Sequence, residues 1–103
     1  MSVKHTPGPW NIETPMEHEF WIVQSGKETY EWFPIATCPL PDEDMHLIAS
    51  AQVKANARLI AAAPEMLAAL KAVVSALDGR VHSNPALSAL SRAQGTIAKA
   101  EGR

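Results

Sequence analysis

The sequence has few of the features that cross-linking, export or membrane insertion require. Its single cysteine, Cys38, is too little for an internal disulfide or a zinc site, which is typical of the reducing cytoplasm. The apolar stretch from Leu59 to Ala63 is far shorter than the roughly 20 residues of a membrane helix. No apolar run resembling a signal peptide precedes Trp10. We therefore expect a cytoplasmic protein that does not bind membranes.

Positive charge is also scarce. Nine Lys and Arg residues stand against 11 Asp and Glu residues, which gives a net charge of -2 and a pI of about 6.0. Binding to duplex nucleic acid depends on clustered Lys and Arg side chains that neutralise phosphates. The sequence has no such cluster, so duplex nucleic acid is not an expected partner.

Catalytic and cofactor motifs are missing as well. The histidines are scattered without a spacing that suits metal ligands or a catalytic base: His5, His18, His46 and His82. Gly26-Lys27 lacks the preceding glycine of a phosphate-binding loop. Asp42, Asp44 and His46 alternate, but a helix would spread them around its axis, which favours N-capping over metal binding. We predict no enzyme, no bound metal and no cofactor.

Composition divides the chain into two parts. The last aromatic residue is Phe33, whereas the first alanine is Ala36. Aromatic residues favour half-buried strands, and alanine and leucine favour helices. The sequence thus predicts one domain over residues 1–103, β-rich at 1–41 and helical at 42–103. The predicted fold class is α+β, with a small N-terminal antiparallel sheet of about three strands followed by two to three helices.

In the first part, strands are predicted at residues 10–13, 20–24 and 30–38, with a turn at 25–27. Pro34 has no backbone N–H, so the third strand is either an edge strand or bent there. The pairs Phe20-Trp21 and Trp32-Phe33 each place adjacent aromatics on opposite strand faces, so one of each pair points away from the helices. A short chain cannot cover both faces, and we predict a homo-oligomer, most simply a dimer.

In the second part, Asp42 is a predicted helix N-cap, and Pro64 predicts a break near Ala63 with a new helix beginning there. Gly79 ends that helix, and Ser83 or Asn84 caps a third helix that ends at Gly102. The first helix has a predicted apolar stripe: Met45, Ile48, Ala51, Ala55, Leu59 and Ala62. The predicted core combines both parts: Trp10, Ile12, Ile22, Ile35, Ile48, Leu59, Met66, Leu70, Val74, Leu77, Leu87, Leu90 and Ile97.

Five side chains are candidates for ligand binding: Asn56, Arg58, Arg80, Trp21 and Trp32. The two tryptophans either stack on a nucleobase or another partner, or pack in the core. Asn56 lies in a predicted helix, where its amide either contacts a ligand or partner or is satisfied internally. Arg58 and Arg80 suit a phosphate group, but an exposed arginine, or an ion pair of Arg58 with Glu65, is equally ordinary.

Two segments carry a family resemblance. They are HTPGPW at residues 5–10 and ANARLIAAAPEML at residues 55–67. With these motifs, and with the ending AKAEG at 98–102, the chain resembles a family of small phage and prophage proteins. The resemblance implies a phage accessory protein and no particular reaction. The order of sheet and helices is also similar to that of Thoeris anti-defence sponge proteins, which sequester ADP-ribose-derived or cyclic nucleotide signals in oligomers.

Two non-enzymatic functions follow from these expectations. In the first, which we place ahead, an oligomer in the bacterial host cell sequesters a nucleotide-like signal, using an outward tryptophan and Arg58 or Arg80. In the second, the aromatic face binds and inhibits a host defence or regulatory protein, as an anti-CRISPR protein does, or serves as a structural interaction module. A concave basic pocket would favour the first function, and a flatter apolar patch the second.

Overall fold

The computed structural model describes residues 4–16, 19–28, 31–40 and 47–102. Three strands, β1 (Trp10–Met16), β2 (Glu19–Gln24) and β3 (Ala36–Pro39), come before three helices. These are α1 (Leu47–Ala61), α2 (Ala63–Leu77) and α3 (Asn84–Ala100). The arrangement is α+β, which confirms the predicted fold class. Residues 6–64 form one compact unit, and residues 65–103 with the first five residues form another. The single-domain organisation stays a prediction.

The sheet is antiparallel with the strand order β1-β2-β3. Ile12 lies opposite Ile22, and Ile22 lies opposite Ala36, so one apolar row crosses all three strands. The β1–β2 register shifts between Glu13 and Met16, around Pro15, whose missing N–H is tolerated at an irregular edge. β3 is the other edge strand, as Pro34 suggested.

The third strand is much shorter than predicted, because it begins at Ala36 and not at residue 30. The first link to β2 is the Ile35 N–H, which donates to the Ile22 carbonyl at 2.8 Å. Pro34, directly before it, lies outside β3 and has no partner in the described register with β2. Trp32 and Phe33 therefore lie outside the strand, and the predicted placement of this pair on opposite strand faces is wrong.

The core of the first unit lies between the sheet and α1. Ile22 and Ala57 are fully buried, and Cys38 is 8% exposed. Partly buried apolar side chains surround this cluster: Trp10, Ile12, Phe20, Ile35, Ala36, Val53, Ile60 and Ala61. Although α1 belongs by composition to the alanine-rich part, it packs on all three strands.

The side of α1 that packs on the sheet differs from the predicted one. Val53, Ala57 and Ile60 recur at helical spacing and contact the core. Of the predicted stripe, Ala51 and Ala55 are exposed, and Leu59 is 60% exposed. Alanines occur on every side of this helix, so periodicity does not distinguish its faces. Asp42 and Met45, and the side chain of Ile48, lie outside the described residues.

The helix boundaries follow the predicted signals. α1 ends at Ala61, and Pro64 lies in the first turn of α2. Gly79 has a φ of 75°, a conformation that favours glycine, in the turn after α2. The Ser83 side chain accepts a hydrogen bond from the Ala86 N–H at 3.3 Å and caps α3.

The helical unit buries little of the predicted core. Ile97 is buried, and Leu70, Val74 and Leu90 are half-buried. The other predicted core residues there are exposed: Met66, Leu77 and Leu87. None of the described helices is long and apolar enough by itself to span a membrane, although Ser50–Ala61 and Ala63–Leu77 together reach that length and composition across their break.

Candidate functional site

The two sequence motifs meet in the first unit and build its structure. A Cβ atom placed on Gly8 would lie 2.6 Å from the Pro64 Cβ, so only glycine fits this close approach. The Trp10 indole N–H donates to the Thr6 carbonyl at 3.1 Å, while its ring packs on the core. The HTPGPW segment thus holds the N-terminal strand against the end of α1. These motifs therefore contribute to the folded structure of this unit.

One face of the sheet is turned away from α1. Strand alternation places Phe20 and Ile22 toward α1 and Trp21 and Val23 on the opposite face. One member of the Phe20-Trp21 pair, Trp21, thus points away from α1, the helix that packs on this sheet. The Trp21 side chain is half-buried, and its indole N–H donates to Glu19 Oε1 at 2.7 Å. That bond fixes the ring on the outward face.

A pocket of about 440 Å³ lies beside Val23. Val23 is only 1% exposed although it points away from α1. The segment 31–35 lines the same pocket through Trp32, Phe33, Pro34 and Ile35. The polar lining comes from four residues: Thr6, Gln24, Lys27 and Glu31.

Two aromatic side chains border this pocket and differ in their solvent exposure. Trp32 is half-buried, and its indole N–H donates to the Lys27 carbonyl at 3.2 Å. Phe33 is 84% exposed, the largest exposure among the large apolar side chains that the structure describes. We use the name aromatic surface for the outward or exposed aromatic side chains of the sheet unit: Trp21, Trp32 and Phe33.

The charged side chains of the sheet unit near this surface are mostly acidic. Glu13 lies opposite Trp21 in the register, and Glu19 accepts the Trp21 hydrogen bond. Glu31 lines the pocket and accepts a weak hydrogen bond from the Glu28 N–H at 3.4 Å. Lys27 is the counter-charge among the pocket residues. The pocket is therefore not a basic site.

The predicted ligand-binding residues do not meet in one pocket. Trp32 lines the pocket, whereas Trp21 lies on the outward face of the sheet and does not line it. Asn56 and Arg58 are exposed on α1, outside its sheet-facing stripe, and Arg80 is exposed in the turn after α2. None of these three lines the pocket. Their roles in ligand binding stay predictions.

Sequence reasoning missed the exposed Phe33 and the pocket residues Thr6, Lys27 and Glu31. The available signal for Phe33 is the following Pro34, since proline marks the end or the edge of a strand. No group of three His, Cys, Asp or Glu side chains suited to a metal ion occurs among the residues that the structure describes. Asp42, Asp44 and His46 lie outside them.

Comparison with known proteins identifies a family for this chain and no individual relative. The whole chain, residues 1–103, matches the protein family described as Salmonella phage P22 protein Y8K6. No curated protein and no solved structure matches the chain significantly.

Proposed function

Because the chain belongs to the family of Salmonella phage P22 protein Y8K6, we propose that it is a phage accessory protein that acts by binding a bacterial host protein through its aromatic surface. Family membership confirms the phage relationship expected from the sequence motifs. The observation that carries the proposal is the 84% exposure of Phe33 next to the half-buried Trp32. An exposed aromatic beside a partly filled pocket is the arrangement of a protein-binding anchor.

The geometry of the aromatic surface favours a protein over a small charged ligand. Trp32 and Trp21 are held by their indole N–H groups, so little side-chain freedom is lost when they are covered. Tryptophan is enriched among the residues that dominate binding energy at protein interfaces. The pocket is lined by one cation, Lys27, one carboxylate, Glu31, and no arginine, so it offers little positive charge for a phosphate.

The charges around the surface indicate the chemistry of the partner. Glu13, Glu19, Glu28 and Glu31 outnumber Lys27 among the described residues of the sheet and its loops. A complementary partner therefore presents Lys or Arg side chains around an apolar depression or ridge. We expect the association rate to fall as salt concentration rises, because exposed charges are screened. The proposed target is a host defence or regulatory protein.

A capture experiment tests this function. The full chain is immobilised and exposed to Salmonella extract, and bound proteins are quantified for the wild type and for Phe33→Glu. Phe33→Glu adds charge at an anchor that is already in solvent, so it should abolish capture without unfolding the chain. A captured protein is then purified, and its dissociation constant is measured by calorimetry at low and high salt.

Leu59→Glu is the matched control for this experiment. Leu59 is also an exposed apolar residue, at 60%, but it lies on α1 and outside the aromatic surface. It should leave both capture and the measured dissociation constant unchanged. Equal capture by the wild type and Phe33→Glu, or equal loss with Leu59→Glu, would contradict the proposal.

The pocket favours a second candidate function, sequestration of a small nucleotide-like signal. Its volume of about 440 Å³ is within the range of small-molecule sites, and Trp32 offers a ring for stacking. Lys27 is the pocket's available cation for a phosphate. In this function the bound molecule is released unchanged, and Arg58 contributes only if a second copy brings it to the pocket.

Thermal shift with cyclic dinucleotides, cyclic trinucleotides and ADP-ribose derivatives tests sequestration. A ligand that binds only the folded chain stabilises it by about 2.7 kcal/mol at a hundredfold excess over its dissociation constant. Lys27→Ala should reduce the shift, whereas Arg92→Ala, on the exposed side of α3, should not. Absence of any shift at millimolar ligand would exclude this candidate and leave protein binding unaffected.

A further inference from the structure

Hydrogen bonds fix the segment that carries the charged residues of the pocket. The Glu31 N–H donates to the Glu28 carbonyl at 2.8 Å, and the Glu28 N–H donates weakly to Glu31 Oε1 at 3.4 Å. The Trp32 indole N–H donates to the Lys27 carbonyl at 3.2 Å. These three bonds hold residues 27 and 28 next to residues 31 and 32. A ligand therefore meets side chains that are already in place, which lowers the entropy cost of binding.

The Glu31 carboxylate lines the pocket without a bound cation. Its Oε1 accepts the weak bond from Glu28, and no Lys or Arg nitrogen of the residues that the structure describes lies within 4.0 Å of the carboxylate. Lys27 thus lines the same pocket without forming an ion pair with Glu31. The segment KETYE at 27–31 has two carboxylates and one ammonium group, so its net charge is negative. This carboxylate is available to a cation from outside the chain.

The rest of the lining suits a cation on a long apolar stem. Val23 is 1% exposed, and half-buried Pro34 and Ile35 line the pocket with it. Aliphatic stems of long charged side chains lie along apolar surface of this kind. The Trp32 hydrogen bond engages the N–H edge of the indole and not its π face. Tryptophan is the aromatic side chain that attracts cations most strongly through that face.

We propose that the pocket binds an arginine side chain of the host protein that the aromatic surface recognises. This inference rests on the proposed function and names the partner residue that enters the pocket. Arginine combines an aliphatic stem with a planar guanidinium, which stacks on aromatic rings and donates two parallel hydrogen bonds to a carboxylate. Lysine is a compact and strongly hydrated cation that does neither. Phe33, exposed beside the pocket, contacts the surface around the bound arginine.

Lys27 separates this ligand from a phosphate. Its side chain is exposed, and its ammonium group forms no ion pair with any described residue, so it can turn toward solvent when a cation enters. Its charge still weakens the binding of arginine and would strengthen the binding of a phosphate. Glu31 acts with the opposite sign on both. Neutralising each residue in turn therefore identifies the charge of the ligand.

Nuclear magnetic resonance of the full chain with N-acetyl-arginine amide as the probe tests the proposal and needs no host protein. The Trp32 indole N–H signal, assigned by its loss in Trp32→Phe, should shift and saturate at millimolar probe. The Trp10 and Trp21 signals should not shift, because neither residue lines the pocket. N-acetyl-citrulline amide, which has nearly the same shape and no charge, should bind at least about tenfold more weakly.

Two matched variants locate the charge that binds the probe. Glu31→Gln keeps an oxygen for the Glu28 N–H but removes the charge, and should weaken arginine binding about tenfold. Glu28→Gln removes the same charge from an exposed residue that does not line the pocket, and should change binding less than about threefold. Lys27→Gln should strengthen arginine binding about two- to threefold, because it removes a like charge. With inorganic phosphate as the probe, a phosphate site would reverse the effects at residues 27 and 31.

Several results would overturn the proposal. They are a Trp32 signal that does not shift, equal binding of the citrulline probe, an equal loss in Glu28→Gln and Glu31→Gln, and the reversed effects with phosphate. Failure of the host-protein function gives a different result. If the extract experiment captures nothing while the probe binds as expected, the arginine site is supported and the host-protein function is rejected. Capture that depends on Phe33, without binding of the probe, would reject the arginine site alone.

Discussion

The contact between Gly8 and Pro64 makes a strong prediction about stability. It joins the two sequence motifs, and a Cβ on Gly8 would lie 2.6 Å from the Pro64 Cβ and 3.1 Å from its Cγ. The nearer atom is attached directly to the backbone, so it cannot rotate away. Gly8→Ala must therefore move the N-terminal segment away from the start of α2.

The expected cost follows from that geometry. Forcing one extra carbon into a filled contact typically destabilises a protein by about 1 to 3 kcal/mol. Each kcal/mol lowers the melting temperature of a domain of this size by about 4 to 8 °C. Displacement of the segment should also loosen Trp10, whose indole N–H is bonded to the Thr6 carbonyl.

Urea unfolding followed by tryptophan fluorescence measures this effect, because all three tryptophans lie in the unit that contains Gly8 and Pro64. Protein concentration must be the same in all samples, since assembly would shift apparent stability. Gly95→Ala is the matched control: it lies in α3, and its added Cβ meets nothing within 4 Å. Gly95→Ala should therefore not lower the urea midpoint of the tryptophan signal, since alanine is a better helix former than glycine and meets no clash there. If Gly8→Ala unfolds at the same urea concentration as the wild type, the close approach is wrong.

Three further predictions concern local features. Ser83→Ala removes the side-chain acceptor of the Ala86 N–H and should cost about 1 kcal/mol, measured by thermal melting against Ser88→Ala, on the exposed side of the same helix. Gly79→Ala places a side chain at a φ of 75° and should cost about 1 to 2 kcal/mol, seen as a lower helical melting temperature; an unchanged value would contradict the turn geometry. Cys38, 8% exposed in the core, should react with a thiol reagent only as fast as the chain opens, so addition of urea should accelerate the reaction, and immediate reaction in buffer would contradict its burial.

The candidate surfaces were only partly predictable. Alternation along a strand is a local property, and it correctly placed Phe20 and Trp21 on opposite faces, while the packing of α1 on the sheet decides that Trp21 is the outward one. The positions of Trp32 and Phe33 depended instead on where β3 begins to pair with β2, which is decided by a hydrogen bond between residues 22 and 35. Arg58 and Arg80 were candidates by charge alone, and charge does not say which side chains reach a pocket.

The sequence by itself determined the order of elements and the places where helices begin and end. Pro64, Gly79 and Ser83 act through their own backbone or side-chain chemistry, which needs no distant partner. The tertiary structure decided which side of α1 is buried and which apolar residues of α2 stay exposed. Leu59 and Ala57 are both apolar, and only the position of the sheet makes one a surface residue and the other fully buried. Burial depends on what packs against a residue from elsewhere in the chain. An alanine-rich helix has several faces that could pack against the sheet, so its sequence alone does not select one.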